Sequence, residues 1–270
     1  MNIKSYTIAL ILFLLQLSYS CTNKTKEEKA DTIIKENTAS YKLGNRTIIF
    51  KTYTTSTDKS IYFNMHDDEN TAVEAAISVL NKISGKLIEI KASGERLISF
   101  NMDTAIYKFD PNRIYTPAGR KATLERYSRY TPQADSAVEK FARYITDTLL
   151  QNADIIIALH NNTPDNYSIL SYSENGEYAA DAAKVYISPQ QDPDDFFYVT
   201  QDDFYKKISK KGYNVLLQDN AKVTDDGSLS VYCGTKGIKY INVEAQKGHT
   251  QQQKAMIMAI QDIISTKTVD

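Results

Sequence analysis

From Tyr41 onward, short runs of apolar and β-branched residues alternate with longer stretches whose apolar positions recur at helical spacing. The short runs predict strands over 47–50, 61–65, 86–90, 97–100, 155–159, 184–187, 214–217 and 240–243. The longer ones predict helices over 71–84, 136–151, 202–211 and 251–264. Phe204 and Ile208 keep a one-turn spacing in the third of these, and Ala255, Met258, Ala259 and Ile263 do so in the fourth. Strands interleaved with helices predict an α/β domain over 41–270, with a mixed, mostly parallel sheet flanked by helices on both faces. No internal repeat interrupts it. Two long stretches without periodicity, 115–132 and 161–181, are expected to shape a cleft.

Composition narrows the class. The 270 residues carry 32 Lys+Arg against 33 Asp+Glu, a formal net charge of -1, so nucleic acid is not an expected partner. With 42% hydrophobic and 24% charged residues, neither wholesale disorder nor a multi-span membrane protein fits. The 19 Tyr, with no Trp, point to a polar, hydrogen-bonding interior or cleft. Two Cys do not make a disulfide framework.

The N-terminus has its own logic. Lys4 precedes an apolar run from Ile8 to Leu17, then Ser18, Tyr19 and Ser20 lead to Cys21. The run is too short to span a bilayer. The arrangement resembles a bacterial lipoprotein signal, which implies that residues 1–20 are removed and that the Cys21 thiol is acylated. An ordinary secretory signal, in which Cys21 plays no part, is the alternative, and both imply export. Residues 21–40 are polar and read as a flexible tether. Their Lys26-Glu27-Glu28 segment resembles an acidic tract found in lipoproteins displayed on the outer membrane. The expected location is therefore the cell envelope, with the membrane touched through the N-terminal lipid alone. Acylation of Cys21 would leave Cys233 alone, as a buried, inert thiol.

The chain has three His, and two of them end apolar strands. His66 follows Ile61-Tyr62-Phe63-Asn64-Met65, with Glu69 three residues on as a helix begins; His160 follows Asp154-Ile155-Ile156-Ile157-Ala158-Leu159. Open α/β sheets bind ligands at the carboxyl ends of their strands. Two imidazoles and one carboxylate, with a fourth position left for water, make the ligand set of a catalytic zinc, and nitrogen donors suit Zn²⁺ better than Mg²⁺. Glu244 ends another nearly apolar strand, Tyr240-Ile241-Asn242-Val243, where an unpartnered carboxylate would be costly. Asp67 and Asp68 either orient His66 or favour the following helix start, and stay outside the metal set. Asp192-Pro193-Asp194-Asp195 and Asp225-Asp226-Gly227 lack calcium-loop spacing and read as loops. Phe196-Phe197-Tyr198 reads as core.

HxxE at His66 and Glu69, Asp110-Pro111-Asn112-Arg113, His160 and Glu244 stand in an order that resembles the zinc carboxypeptidases and the related amino-acid deacylases. The resemblance implies that His66, Glu69 and His160 hold Zn²⁺ and that Glu244 is the general base acting on a metal-bound water. Asn112 and Arg113 would grip a substrate carboxylate, and Arg96 would polarise the scissile carbonyl. His249, in a loop before the last helix, would contact substrate or support the site. The expected reaction is hydrolysis of an amide or peptide bond in a peptide, an N-acyl amino acid or a cell-wall peptide. IIIALHN at 155–161 and Asn242-Val243-Glu244 also look like zinc N-acetylmuramoyl-L-alanine amidases, but HxxE favours the carboxypeptidase branch. A non-catalytic surface binding lipoprotein is the remaining alternative.

Overall fold

The computed structural model describes residues 34–164 and 166–266. The expected signal segment, Cys21 and the first part of the expected tether lie outside them. Eleven strands and six α-helices follow in the order β1 (Lys35–Leu43), β2 (Arg46–Thr54), β3 (Ser60–Asn64), α1 (Asn70–Ile77), β4 (Lys86–Lys91), β5 (Ile98–Met102), β6 (Ala105–Phe109), α2 (Pro117–Tyr127) and α3 (Pro132–Tyr144). The chain continues through β7 (Ile155–Asn162), β8 (Ala182–Tyr186), β9 (Phe196–Val199), α4 (Asp202–Lys210), β10 (Val215–Gln218), α5 (Leu229–Lys236), β11 (Tyr240–Gln246) and α6 (Thr250–Ser265).

Nine strands form one sheet in the order β1-β2-β4-β3-β7-β11-β9-β10-β8, and β5 pairs with β6 in a separate hairpin. The sheet is mixed, as expected. Its parallel pairings join β4, β3, β7 and β11 at the centre and β9 to β10, while the remaining neighbours run antiparallel. Parallel and antiparallel pairings are thus balanced, because hairpins and reversals add antiparallel strands on both sides of the centre.

Strand alternation divides the core into two layers. Ile156 and Ala158 of β7 enter one apolar cluster with Leu124 of α2, Val138 and Phe141 of α3, and Leu229 of α5. Ile155, Ile157 and Leu159 enter the other, with Ala72, Ala75 and Ala76 of α1, Ile208 of α4, and Met256, Ile257 and Ile260 of α6. Helices therefore cover both faces.

Several elements depart from the expectation. β1 begins at Lys35, inside the stretch read as tether through Ser40. Its Tyr41 packs its ring on Phe141 and Tyr144, with centroids 5.3 and 5.0 Å apart, which ties the strand to the core. β6 is an additional strand, and β9 forms from the aromatic run read only as core. The expected 71–84 helix stops at Ile77, followed by a short 3₁₀ turn at Leu80–Lys82. Residues 117–127, within an expected irregular stretch, are α2. Thr116 caps that helix by accepting from the Gly119 amide at 3.1 Å, and Pro117 opens it. The buried face of α2 is Gly119, Arg120, Thr123 and Leu124, so it carries almost no apolar periodicity. Gly119 is needed there because a Cβ would collide with the backbone of Gly227. Among the described residues no helix is long and apolar enough to cross a membrane.

Candidate metal centre

β3, β7 and β11 are neighbours with parallel pairing, so their carboxyl ends open on the same edge of the sheet. Glu244 lies directly opposite His160 in the β11–β7 register, and both share the strand face of Ala158 and Tyr240. His66 follows β3 after one further residue, and Glu69 stands at the N-cap of α1. Glu69 does not cap its own helix. Asn161 partly replaces it, accepting from the Ala72 amide at 2.9 Å, which leaves the Glu69 carboxylate for the cluster.

The donors converge. His66 Nδ1 lies 3.2 Å from His160 Nδ1 and 2.8 Å from Glu69 Oε1, and His160 Nδ1 lies 3.0 Å from Glu69 Oε2. One donor atom from each of the three residues falls within 4.8 Å of the others. All three are buried. Two imidazole nitrogens that face each other at hydrogen-bond distance, beside one carboxylate, are repulsive if both are protonated and suited to a shared cation if neither is.

The contacts of His66 allow the second arrangement once a cation displaces its Nδ1 proton. His66 Nε2 lies 2.8 Å from Asp110 Oδ1, and a carboxylate can only accept, so the Nε2 proton belongs there and Nδ1 can present a lone pair. Asp110 is itself fixed: its Oδ1 also accepts from the Asn112 amide at 2.8 Å, and its own amide donates to Thr123 Oγ1 at 2.9 Å. Burial lowers the pKa of His160 and keeps that ring neutral. Burial also opposes charge on His66, but Glu69 and Asp110 outweigh it and lift its pKa to about 9 when no cation is bound. Burial likewise opposes charge on Glu69 and Asp110, yet His66 holds both carboxyls well below the usual range.

Glu244 behaves differently. Burial and the negative charge of Glu69 push its pKa up to about 8, against one hydrogen bond from Asn242 Nδ2 at 3.0 Å and the positive charge of Arg96. A cation held between the His66, Glu69 and His160 donors would offset the repulsion from Glu69 and favour the carboxylate form.

Arg96 reaches the cluster, with Nη1 2.7 Å from Glu69 Oε1 and Nε 3.5 Å from Asp110 Oδ2. Its half-exposed side chain leaves donors for a ligand. Asp67 explains its position. The Asp67 Oδ2 accepts from the amides of Ala92, Ser93 and Gly94 at 2.8, 2.9 and 2.6 Å, and Lys91 Nζ lies 2.6 Å from Oδ1. The residue next to His66 thus builds the loop that carries Arg96, a role beyond both of those expected for it.

Asn112 and Arg113 sit on the loop after β6. The Asn112 side-chain oxygen accepts from the Leu229 amide at the start of α5, 3.1 Å away, so the donor end of that amide is what remains for a ligand. Arg113 Nη1 lies 2.6 Å from Asp226 Oδ2. The hydroxyls of Tyr167 and Tyr172 lie 2.5 Å apart, and burial raises the pKa of both. His249 does not join the cluster. It lies in the β11–α6 loop, where its Nδ1 is 2.9 Å from Asp195 Oδ2.

No family model matches the chain, and no curated protein matches it. Solved structures that resemble it include an aspartoacylase family protein from Mesorhizobium loti, at 12% identity and a TM-score of 0.43, covering 84% of this chain and 66% of that one. Others are a murein-tripeptide amidase from Escherichia coli O157 (12% identity, TM-score 0.46, 90% and 97% covered) and a metallo-carboxypeptidase from Burkholderia cenocepacia (10%, 0.45, 86% and 65%). The chain spans about two thirds of the length of the first and third of these.

Sequence patterning locates His66, Glu69, His160 and Glu244 because each is polar at the end of an apolar strand or the start of the next helix. It misses Asp110 as a partner of His66, although the segment is in view, because the spacing does not say which strand end it faces. It also misses Gln253. Buried on α6, Gln253 donates to the His160 carbonyl at 2.9 Å and accepts from Asn161 at 2.8 Å, bracing the strand end that carries the second imidazole. A Gln on the apolar face of a helix is the signal that could have found it.

Proposed function

We propose that the protein is a zinc-dependent hydrolase that cleaves an amide bond, in a peptide or an N-acyl amino acid, next to a free carboxylate. The observation that carries this reading is the meeting of His66 Nδ1, Glu69 and His160 Nδ1 within 4.8 Å, with Glu244 in the adjoining register position. Zn²⁺ at these donors would supply a Lewis acid for the scissile carbonyl and acidify water towards a pKa of about 7. The chain supplies the rest. Glu244 takes a proton from the attacking water and returns it to the departing nitrogen; the water oxygen ends on the acyl carbon, and the amine leaves as the C–N bond breaks. Arg96 offers N–H donors to the oxygen that gains negative charge. Arg113 and the Asn112 amide NH₂ orient the substrate carboxylate.

The test combines metal content with substrate form. Purified protein is expected to hold about one zinc per chain and to cleave peptides with a free C-terminus but not their C-terminal amides. A preparation that binds no zinc defeats the reading, and equal cleavage of the amidated forms would point to the peptidoglycan amidase alternative. Lipid attachment at Cys21 and a place in the cell envelope belong to the same proposal on the strength of the N-terminal pattern. Cys21→Ser should abolish incorporation of labelled fatty acid, and unchanged labelling would exclude that site.

A further inference from the structure

Asn242 stands two residues before Glu244 on β11, so the two side chains share a strand face. The strand is paired on both sides, with Asn242 opposite Ala158 of β7 and Tyr198 of β9, and the sheet fixes the backbone of both residues. An asparagine is poorly suited to such a place, where an apolar or β-branched side chain packs better. Its polar end is also incompletely served. Nδ2 donates to Glu244 Oε2 at 3.0 Å, whereas Oδ1 is buried and has no partner among the described residues. An unpaired buried acceptor is destabilising, and an apolar side chain of the same shape would avoid that cost.

The compensation lies at Glu244. Its side chain is buried, and among the described residues the Asn242 amide is the only group that hydrogen-bonds its carboxylate. The Arg96 guanidinium is engaged by Glu69 and Asp110 instead. Burial, and after it the charge of Glu69, disfavours the ionised form of Glu244; the Asn242 donor opposes both. It also acts on one oxygen only, which fixes the rotation of the carboxylate plane.

We infer that Asn242 is a positioning residue for Glu244: by donating to Oε2 it orients the carboxylate and leaves Oε1 as the oxygen that exchanges protons. A proton on Oε2 would meet the Nδ2–H donor, so the two oxygens are not equivalent. In the reaction, Oε1 takes the proton released as the water oxygen bonds to the acyl carbon. It returns that proton to the departing nitrogen as the C–N bond breaks, and Oε2 accepts from Asn242 throughout. The part in the reaction rests on the hydrolase reading, but the hold on the carboxylate does not.

Asn242→Leu keeps the approximate shape and removes both polar ends. In the zinc-supplemented full chain this variant should hold as much zinc as the natural protein and be at least as stable to chemical denaturation, because the unpaired acceptor is gone. On a peptide with a free C-terminus, kcat should fall about tenfold with KM unchanged, as the carboxylate loses its fixed orientation. The acid limb of the kcat/KM pH profile should rise by about one unit. Asn242→Asp, which replaces the donor by a like charge, should raise it further. Natural kcat with an unmoved acid limb would overturn the inference, and a loss of stability in step with kcat would make Asn242 structural and overturn it too. A readout without turnover is the NMR signal of the Asn242 side-chain NH₂, which should shift when Glu244→Gln is introduced; an unmoved signal would show that no hold exists. Absence of cleavage by the natural protein would instead sink the hydrolase reading, with the NH₂ signal still deciding the hold.

Discussion

Asp110→Asn isolates one charge in the centre without changing its shape. In neutral His66 the single ring proton must sit on Nε2 if Nδ1 is to face Glu69 and His160 with a lone pair, and Asp110 holds it there at 2.8 Å. The same Asp110 oxygen also accepts from the Asn112 amide, which demands an acceptor at that position, so the introduced amide should present its oxygen to both. Its NH₂ then falls where Oδ2 now stands, 3.5 Å from the Arg96 Nε, and donor meets donor. The His66 tautomer survives, but the negative charge that makes the ring a stronger donor is gone. Partners of this kind typically contribute 10- to 100-fold in metal affinity, or about 1.4 to 2.7 kcal/mol. Zinc affinity measured by competition with a chromophoric chelator should fall within that range. In the metal-free protein the His66 pKa, followed by NMR, should drop from about 9 towards its ordinary value, because one of the two carboxylates that raise it is lost. Asp110→Ala should weaken zinc further, since it leaves a buried ring N–H without an acceptor. If Asp110→Asn changed neither zinc affinity nor the His66 pKa, the role assigned to Asp110 would be wrong.

Three further outcomes follow from the same geometry. Glu244→Gln should keep zinc, because Glu244 is not among the converging donors, yet lower kcat by at least about 100-fold as expected for loss of a general base; unchanged turnover removes Glu244 from the reaction. Metal-free protein should lose stability as pH rises from about 6.5 to 9. The raised folded pKa of His66 stabilises below 6.5 and that contribution is lost through 9, while Glu244, protonated in the fold up to about 8, costs stability over the same rise. Thermal melts with chelator at several pH values check this, and a flat or rising profile contradicts it; added zinc should stabilise more at the alkaline end, because its binding must displace the His66 proton. Asp67→Ala should leave the amides of Ala92, Ser93 and Gly94 without their acceptor and cost about 1–3 kcal/mol. Chemical denaturation would measure the loss, and a variant as stable as the natural protein would show that water replaces the carboxylate at no cost.

What the sequence discloses divides along a physical line. β7 is legible because Ile155 to Leu159 is apolar without interruption and β11 because Asn242 alone breaks its apolar run before Glu244, and His160 and Glu244 are legible because each stands polar at the end of such a run. α4 and α6 carry their apolar stripe at helical spacing and fall within a residue or two of the expected bounds. α2 and α5 are hidden for a different reason. The buried positions of α2 include Gly119, Arg120 and Thr123, which serve close approach and local polar contacts rather than apolar content, while α5 is eight residues long and buries Leu229, Val231 and Cys233 at alternate positions, so the periodicity that announces a helix is missing from both. β1 is hidden because it is an edge strand with mostly exposed side chains, held chiefly by backbone pairing to β2 and by Tyr41.

The same line runs through the site. The three donors come from segments whose spacing is local, a strand end followed by HxxE, and a second strand end. Asp67, Asp110 and Asp226 act on partners 25 to 113 positions away along the chain, and nothing local marks an aspartate in a loop as the acceptor of three amides, of an imidazole proton or of a guanidinium. These three carboxylates act alike, since each holds one group beside or near the cluster: the Arg96 loop, the His66 ring and the Arg113 fork. On the proposed reading the three donors decide which cation is held, whereas Asp67 and Asp110 decide how firmly the groups around it are placed.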